Sequence, residues 1–143
     1  SSTFWTERSG YIAGLKTLEI MEKIKSWKII TEQGRKLKKM INKVANRNNL
    51  AVNISGLDAC PSYSIKTDSW LEYKTFITQE LLKKNFLGSN LCYLSIAHTN
   101  EIIEQFIGLL EPLFKIIADC ESGKNIDDLL EGPVCHDGFK RLN

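Results

Sequence analysis

Two histidines and four cysteines hold most of the reactive side chains in this sequence. Zinc-type sites need ligands clustered at short spacing. Cys60, Cys92, Cys120 and Cys135 form no C-x-x-C pair, and His98 and His136 stand far from one another. This spacing predicts no metal site. The thiols read as reduced, mostly buried side chains of a cytosolic protein, with a Cys120–Cys135 disulfide left open. His98 precedes the cap of a long helix, and His136 lies in a polar tail. Either has the residue type of a general base. A lone histidine more often serves as a local hydrogen-bond partner. The sequence has no G-x-S-x-G elbow, no G-x-x-x-x-G-K-[ST] loop and no H-E-x-x-H pair, so no catalytic residue is assigned.

Lys28, Arg35, Lys36, Lys38, Lys39, Lys43 and Arg47 give one helix a basic side that could meet phosphates. The apolar stripe on the same helix is wide, however, and no aromatic groups alternate with the charges. A solvated outer face is the better account, and a net charge of +2 adds no argument for nucleic acid. No apolar run approaches the roughly 20 residues that span a bilayer. The reading is therefore a cytoplasmic chain with neither nucleic acid nor membrane as partner. Its 143 residues, 43% hydrophobic and 25% charged, suit one soluble domain with a core of its own.

The elements that would position these groups follow from hydrophobic period. Ile12, Leu15, Leu18, Ile20, Met21 and Ile24 recur at helical spacing, with Gly10 and Gly14 four apart, where a close backbone approach is expected. Ser26 is placed as the N-cap of a second helix, on which Trp27, Ile30, Gly34, Leu37, Ile41, Val44 and Ala45 form one stripe. From Leu50 the period changes to two: Leu50, Val52 and Ile54 face one way, Asn53 and Ser55 the other. Gly56, Asp58 and Pro61 turn the chain, and 62–65 forms the return strand. Asp68 or Ser69 caps a third helix that ends near Asn85 and Gly88. Leu91 to Ala97 reads as a further strand. Thr99 caps a long helix with the stripe Ile103, Phe106, Ile107, Leu110, Leu113, Phe114 and Ile117, in which Pro112 should produce a kink. A short helix is expected at 126–130. The class is α+β: a small antiparallel sheet of about three strands, covered on one face by helices and preceded by a long helix.

Several stretches, in order, resemble class III pyridoxal-phosphate aminotransferases, the group that includes glutamate-1-semialdehyde aminomutase. Ser2-Thr3-Phe4-Trp5-Thr6-Glu7-Arg8 is similar to the segment that follows the family's cofactor lysine. Ala13, Gly14, Leu15, Thr17, Leu18, Glu19 and Met21 resemble its interdomain helix. Phe76, Leu81, Leu82, Lys83, Lys84, Phe86 and Leu87 resemble an F-x-x-x-L-L-x-x-G-x-x pattern, with one residue more between Phe76 and Leu81 and with Asn85 in place of the usual glycine. Ser95, Ala97, His98 and Thr99 match S-x-A-H-T. The stretch from Leu130-Glu131-Gly132-Pro133 through Gly138-Phe139-Lys140-Arg141-Leu142 is similar to a family terminus. Each motif alone is weak; their order and spacing carry the resemblance across nearly the whole chain.

The resemblance implies a C-terminal fragment. Residues 1–25 would be a phosphate-contact segment and interdomain helix, and residues 26–143 the C-terminal small domain. Pyridoxal 5'-phosphate would be a Schiff base on a lysine preceding Ser1, in a large N-terminal domain absent from this chain. This chain alone would then be neither an enzyme nor a cofactor carrier. Thr3 resembles the family's phosphate-binding threonine, which reaches the cofactor of the neighbouring subunit in a homodimer. A hydroxyl and backbone N–H groups just before a helix N-terminus suit a phosphate. The implied partners are the large domain, a second copy, and a small-molecule amino donor and acceptor. Thr6-Glu7-Arg8 stands where aminomutases commonly carry Gly-Asn, which leaves aminomutase and aminotransferase both open. The opening Ser1-Ser2-Thr3, without methionine, fits an excised segment. A stand-alone binding module with the same small-domain fold is the alternative. If the large domain is missing, the first helix should expose apolar residues.

Overall fold

The computed structural model describes residues 6–138. The order is α1 (Ser9–Ile24), α2 (Ser26–Arg47), β1 (Val52–Ser55), β2 (Ser62–Ile65), α3 (Trp70–Lys83), α4 (Asn100–Glu121) and a 3-10 turn at Asp127–Leu129. The architecture is α+β. β1 and β2 pair antiparallel with Val52 opposite Ile65 and Ser55 opposite Ser62. Leu50 is buried, Val52 and Ile54 are half-buried, and Asn53 and Ser55 are exposed, as the period of two predicts. Helices α2 and α3 pack on that buried face, and Phe114 of α4 reaches it through Tyr63 of β2.

The core gathers around α4. Leu110, Phe114 and Ile117 are fully enclosed there, against Leu37, Ile41 and Val44 of α2 and Phe76, Ile77 and Leu81 of α3. The Tyr63 ring meets Phe114 at 6.0 Å and Trp70 at 6.3 Å between centroids. Burial of this stripe is the main stabilising term, at about 1.5–3 kcal/mol for each fully enclosed large side chain. Thr99 caps α4, its hydroxyl accepting from the Ile102 N–H at 3.5 Å. The helix continues through Pro112 as one element.

Three local expectations change. Leu91–Ala97 is not a regular strand, so the sheet has two strands rather than about three. Leu91 forms a single bridge with Ser62. Beyond it, the N–H groups of Cys92 and Leu94 donate to the carbonyls of Pro61 and Ala59 at 3.0 and 3.1 Å. The ladder stops because its partner is the turn after β1, where Gly56 has φ 79° and Cys60 N–H bonds back to the Leu57 carbonyl. Second, Ser26 is not a cap. Lys25, at φ 54°, joins α1 to α2 as a single left-handed residue. No extended residue remains from which a serine hydroxyl could reach back. Ser26 is instead the first residue of α2, buried, with its hydroxyl unpartnered among the described residues. Third, an added methyl at Gly10 or Gly14 would meet nothing within 4 Å, so the close approach expected there does not occur among the described residues.

Candidate functional site

A cavity lies where the chain leaves α3 and enters α4. It has a volume of about 420 Å³ and is walled by Leu37, Phe86, Ile103 and Phe106, with Asn85, Ser89, Cys92, Tyr93 and His98 among its polar members. Asn85 positions one wall. It has φ 61°, and the Phe86 N–H closes back on the Leu81 carbonyl at 2.9 Å. That is the left-handed helix end that glycine usually provides. Asparagine tolerates it because its short polar side chain suits αL. The motif's missing glycine is thus replaced without loss of the turn.

His98 is held from two sides. Its Nδ1 accepts from the Ser95 N–H at 3.0 Å and lies 3.0 Å from Ser95 Oγ. Its carbonyl accepts from the Gln33 side chain. With Nδ1 occupied by a backbone donor, the Ser95–His98 pair is a loop clasp and not an activated nucleophile. Burial, with Cys60 nearby, pushes the Cys92 thiol up to about 11, so it stays protonated near neutrality. His136 lies in the exposed tail. All four cysteines are free; Cys120 is buried and the other three are half-buried.

The basic side of α2 is largely tied into the fold. Arg35 and Lys38 hold Asp58 at 2.8 and 3.0 Å, Lys36 meets Glu104 at 2.7 Å, and Arg47 meets Glu111 at 2.6 Å. The Lys38 hydrogen bond, then that of Arg35, holds the Asp58 carboxyl below the usual carboxylate range. This cluster fastens the loop after β1 to α2. There the Asp58 backbone runs so close to Gly34 that no larger residue fits. Sequence reasoning placed Gly34 on the buried stripe but did not identify its neighbour; a glycine amid large apolar positions was the available signal.

Thr3 lies outside the described residues, as do Phe139, Lys140, Arg141 and Leu142. No lysine or arginine lines the 420 Å³ cavity, so neither a phosphate nor an imine would find a partner in it. Lys83 is held charged, its pKa raised by the hydrogen bonds it donates to the Glu131 and Glu80 carboxylates. Among the described residues no cluster of three or more His, Cys, Asp or Glu could hold a metal ion, and no helix is long and apolar enough to cross a membrane.

No protein-family model matches the chain. Over 109 residues, 71% of its length, the chain is 29% identical to a 3-aminobutyryl-CoA aminotransferase of Cloacimonas acidaminovorans (strain Evry). The match covers 26% of that protein, so the chain spans about a quarter of the curated relative's length. This distant likeness supports the broad class III aminotransferase family that the motifs suggest, and with it an aminotransferase-like domain from a family that uses pyridoxal phosphate.

Proposed function

We propose that this chain is the C-terminal small-domain part of a pyridoxal-phosphate-dependent aminotransferase of class III. The supporting observation is that the ordered motifs and the likeness to an aminotransferase fall on the same chain. The α+β fold, with one helix standing off a compact core, agrees with such a domain. Residues 1–25 and 26–143 are the two parts; the left-handed Lys25 and the absence of buried residues on α1 favour a division there. The bound cofactor would supply an electron sink through which an amino group passes from donor to acceptor. The lysine carrying it would precede Ser1, and a small-molecule amino donor and acceptor would be the substrates. Thr3 would meet the cofactor phosphate through its hydroxyl, across a homodimer interface. Of the two reactions open to the family, we favour aminotransfer over the aminomutase reaction. Thr6-Glu7-Arg8 departs from the aminomutase pattern, and the matched relative is an aminotransferase.

The test is to sequence the reading frame upstream of Ser1, express the whole product, reduce it with borohydride and locate the label by mass spectrometry. A pyridoxyl mass on a lysine shortly before Ser1 is the expected result. A start codon beside Ser1, or a reduced protein with no cofactor attached, would overturn the proposal and favour the stand-alone binding module.

A further inference from the structure

The cavity between the end of α3 and the start of α4 has walls that are held in place by bonds and packing outside it. Gly88 seats the connecting loop against the core, since a methyl there would lie 2.8 Å from Leu81 and 3.4 Å from Phe106. Further along, the Cys92 and Leu94 N–H groups tie the chain to the Pro61 and Ala59 carbonyls. Leu37, Ile103 and Phe106 are fixed by the core of which they are part. The space is thus pre-formed, and its 420 Å³ falls within the roughly 300–1,000 Å³ of small-molecule sites.

Its chemistry is narrow. Asp, Glu, Lys and Arg are absent from its lining. An ion entering it would give up hydration and meet no counter-charge, so the lining selects an uncharged guest. Phe86 and Phe106, 6.5 Å apart between ring centroids, provide an aromatic wall. Leu87 borders the same space and is 95% exposed. A molecule seated beside it would cover that side chain and add apolar contact at the rim. One polar direction is fixed as well. The Ser95 N–H donates to His98 Nδ1 at 3.0 Å, so the neutral ring carries its proton on Nε2. That Nε2–H has no acceptor among the described residues.

We infer that this cavity is a binding site for a small uncharged molecule, with an apolar body seated against Phe86, Ile103 and Phe106 and one acceptor oxygen that takes the His98 Nε2–H. The Ser95–His98 clasp then has a purpose beyond the loop: it sets the tautomer that donates. The site goes beyond the aminotransferase reading, because it needs neither the cofactor nor any residue upstream of Ser1.

Titration of the 15N-labelled 143-residue chain with acetophenone, which is uncharged and has one ring and one carbonyl, tests it by amide chemical shifts. Shifts at Phe86, Gly88, Cys92 and Ile103 should saturate with a dissociation constant on the order of 1 mM, the range open to about nine heavy atoms. Benzoate, of the same size but charged, should bind at least about tenfold more weakly. His98→Phe should weaken acetophenone about threefold to tenfold and ethylbenzene, which has no acceptor, by less than about twofold. Because that change also removes the clasp, a second variant keeps the fold. Ile102 lines the mouth and is 38% exposed, so Ile102→Trp should block acetophenone and leave the urea midpoint unchanged. No saturation by about 10 mM acetophenone, benzoate binding as tightly, a preference for acetophenone that survives His98→Phe, or binding that survives Ile102→Trp would each overturn the inference. Shifts confined to α1 would place acetophenone on that exposed helix and overturn it equally. The borohydride label is read upstream of Ser1, so either idea can fail while the other stands.

Discussion

Replacing Gly34 by alanine separates local from tertiary reasoning, because the two predict opposite signs. Within a helix, alanine is favoured over glycine by about 1 kcal/mol. A methyl on Gly34, however, would lie 1.5 Å from the Asp58 carbonyl oxygen and 2.5 Å from the carbonyl carbon. Both sides of that clash are backbone, so no rotamer change relieves it. Restoring ordinary contact at about 3.5 Å requires α2 and the loop after β1 to part by about 2 Å. The movement strains the Lys38 hydrogen bonds to the Gly56 carbonyl, at 2.8 Å, and to the Asp58 carboxylate, at 3.0 Å. Overpacking of this kind costs about 1–3 kcal/mol, and a rigid backbone obstacle puts Gly34→Ala at the upper end. Set against the helical gain, the net expectation is a loss of about 2 kcal/mol. In urea, followed by circular dichroism, that lowers the midpoint by roughly 1 M at an m-value of about 2 kcal/mol/M. Gly108→Ala, on the exposed side of α4 with nothing within 4 Å of the new methyl, should instead gain about 0.5–1 kcal/mol. If Gly34→Ala raised the midpoint, or the two variants shifted together, the packing argument would be refuted.

Asn85→Gly should stabilise the fold by about 0.5 kcal/mol, because φ 61° costs glycine nothing. A thermal melt should rise by roughly 2 °C, and a fall would show that the asparagine side chain holds something glycine cannot. Asp58 sets the acid behaviour of the loop after β1. Lys38 and Arg35 hold its carboxyl below the ordinary range in the folded chain, so its contribution is complete above the unfolded pKa and is lost as pH falls through the lower folded value. Stability should therefore decline from about pH 4 downward, and Asp58→Asn should flatten that part of the profile. An unchanged slope would mean that the ion pairs seen at Asp58 carry no linkage.

Much of the framework was legible before any coordinates. The stripe from Ile103 to Ile117 is long, uninterrupted and at one period, and the core forms on it. The alternation from Leu50 to Ser55 marked both a strand and its buried face, because side chains on a pleated backbone have only two directions. Thr99 announced a helix start that the structure keeps, since a capping hydroxyl acts within three residues. The ordered motifs carried the aminotransferase reading, which a quarter-length likeness later supported.

What failed or was invisible depended on distant partners. Leu91–Ala97 has the composition of a strand, yet strand pairing needs a straight neighbour, and its neighbour is a turn bent at Gly56. Ser26 has the residue type of a cap, but one left-handed residue between two helices turned it inward. Ser95 and His98 matched a motif by type, and only the three-dimensional bond from the Ser95 N–H to Nδ1 shows a clasp where a base was conceivable. The exposure of α1 could be anticipated only on the premise of a missing domain; the structure shows it directly as a helix without a covered face. Local chemistry acts over a few residues and is written in the chain. Closeness between Gly34 and Asp58, or between Arg47 and Glu111, is created only when the helices pack, so the tertiary structure alone decided it.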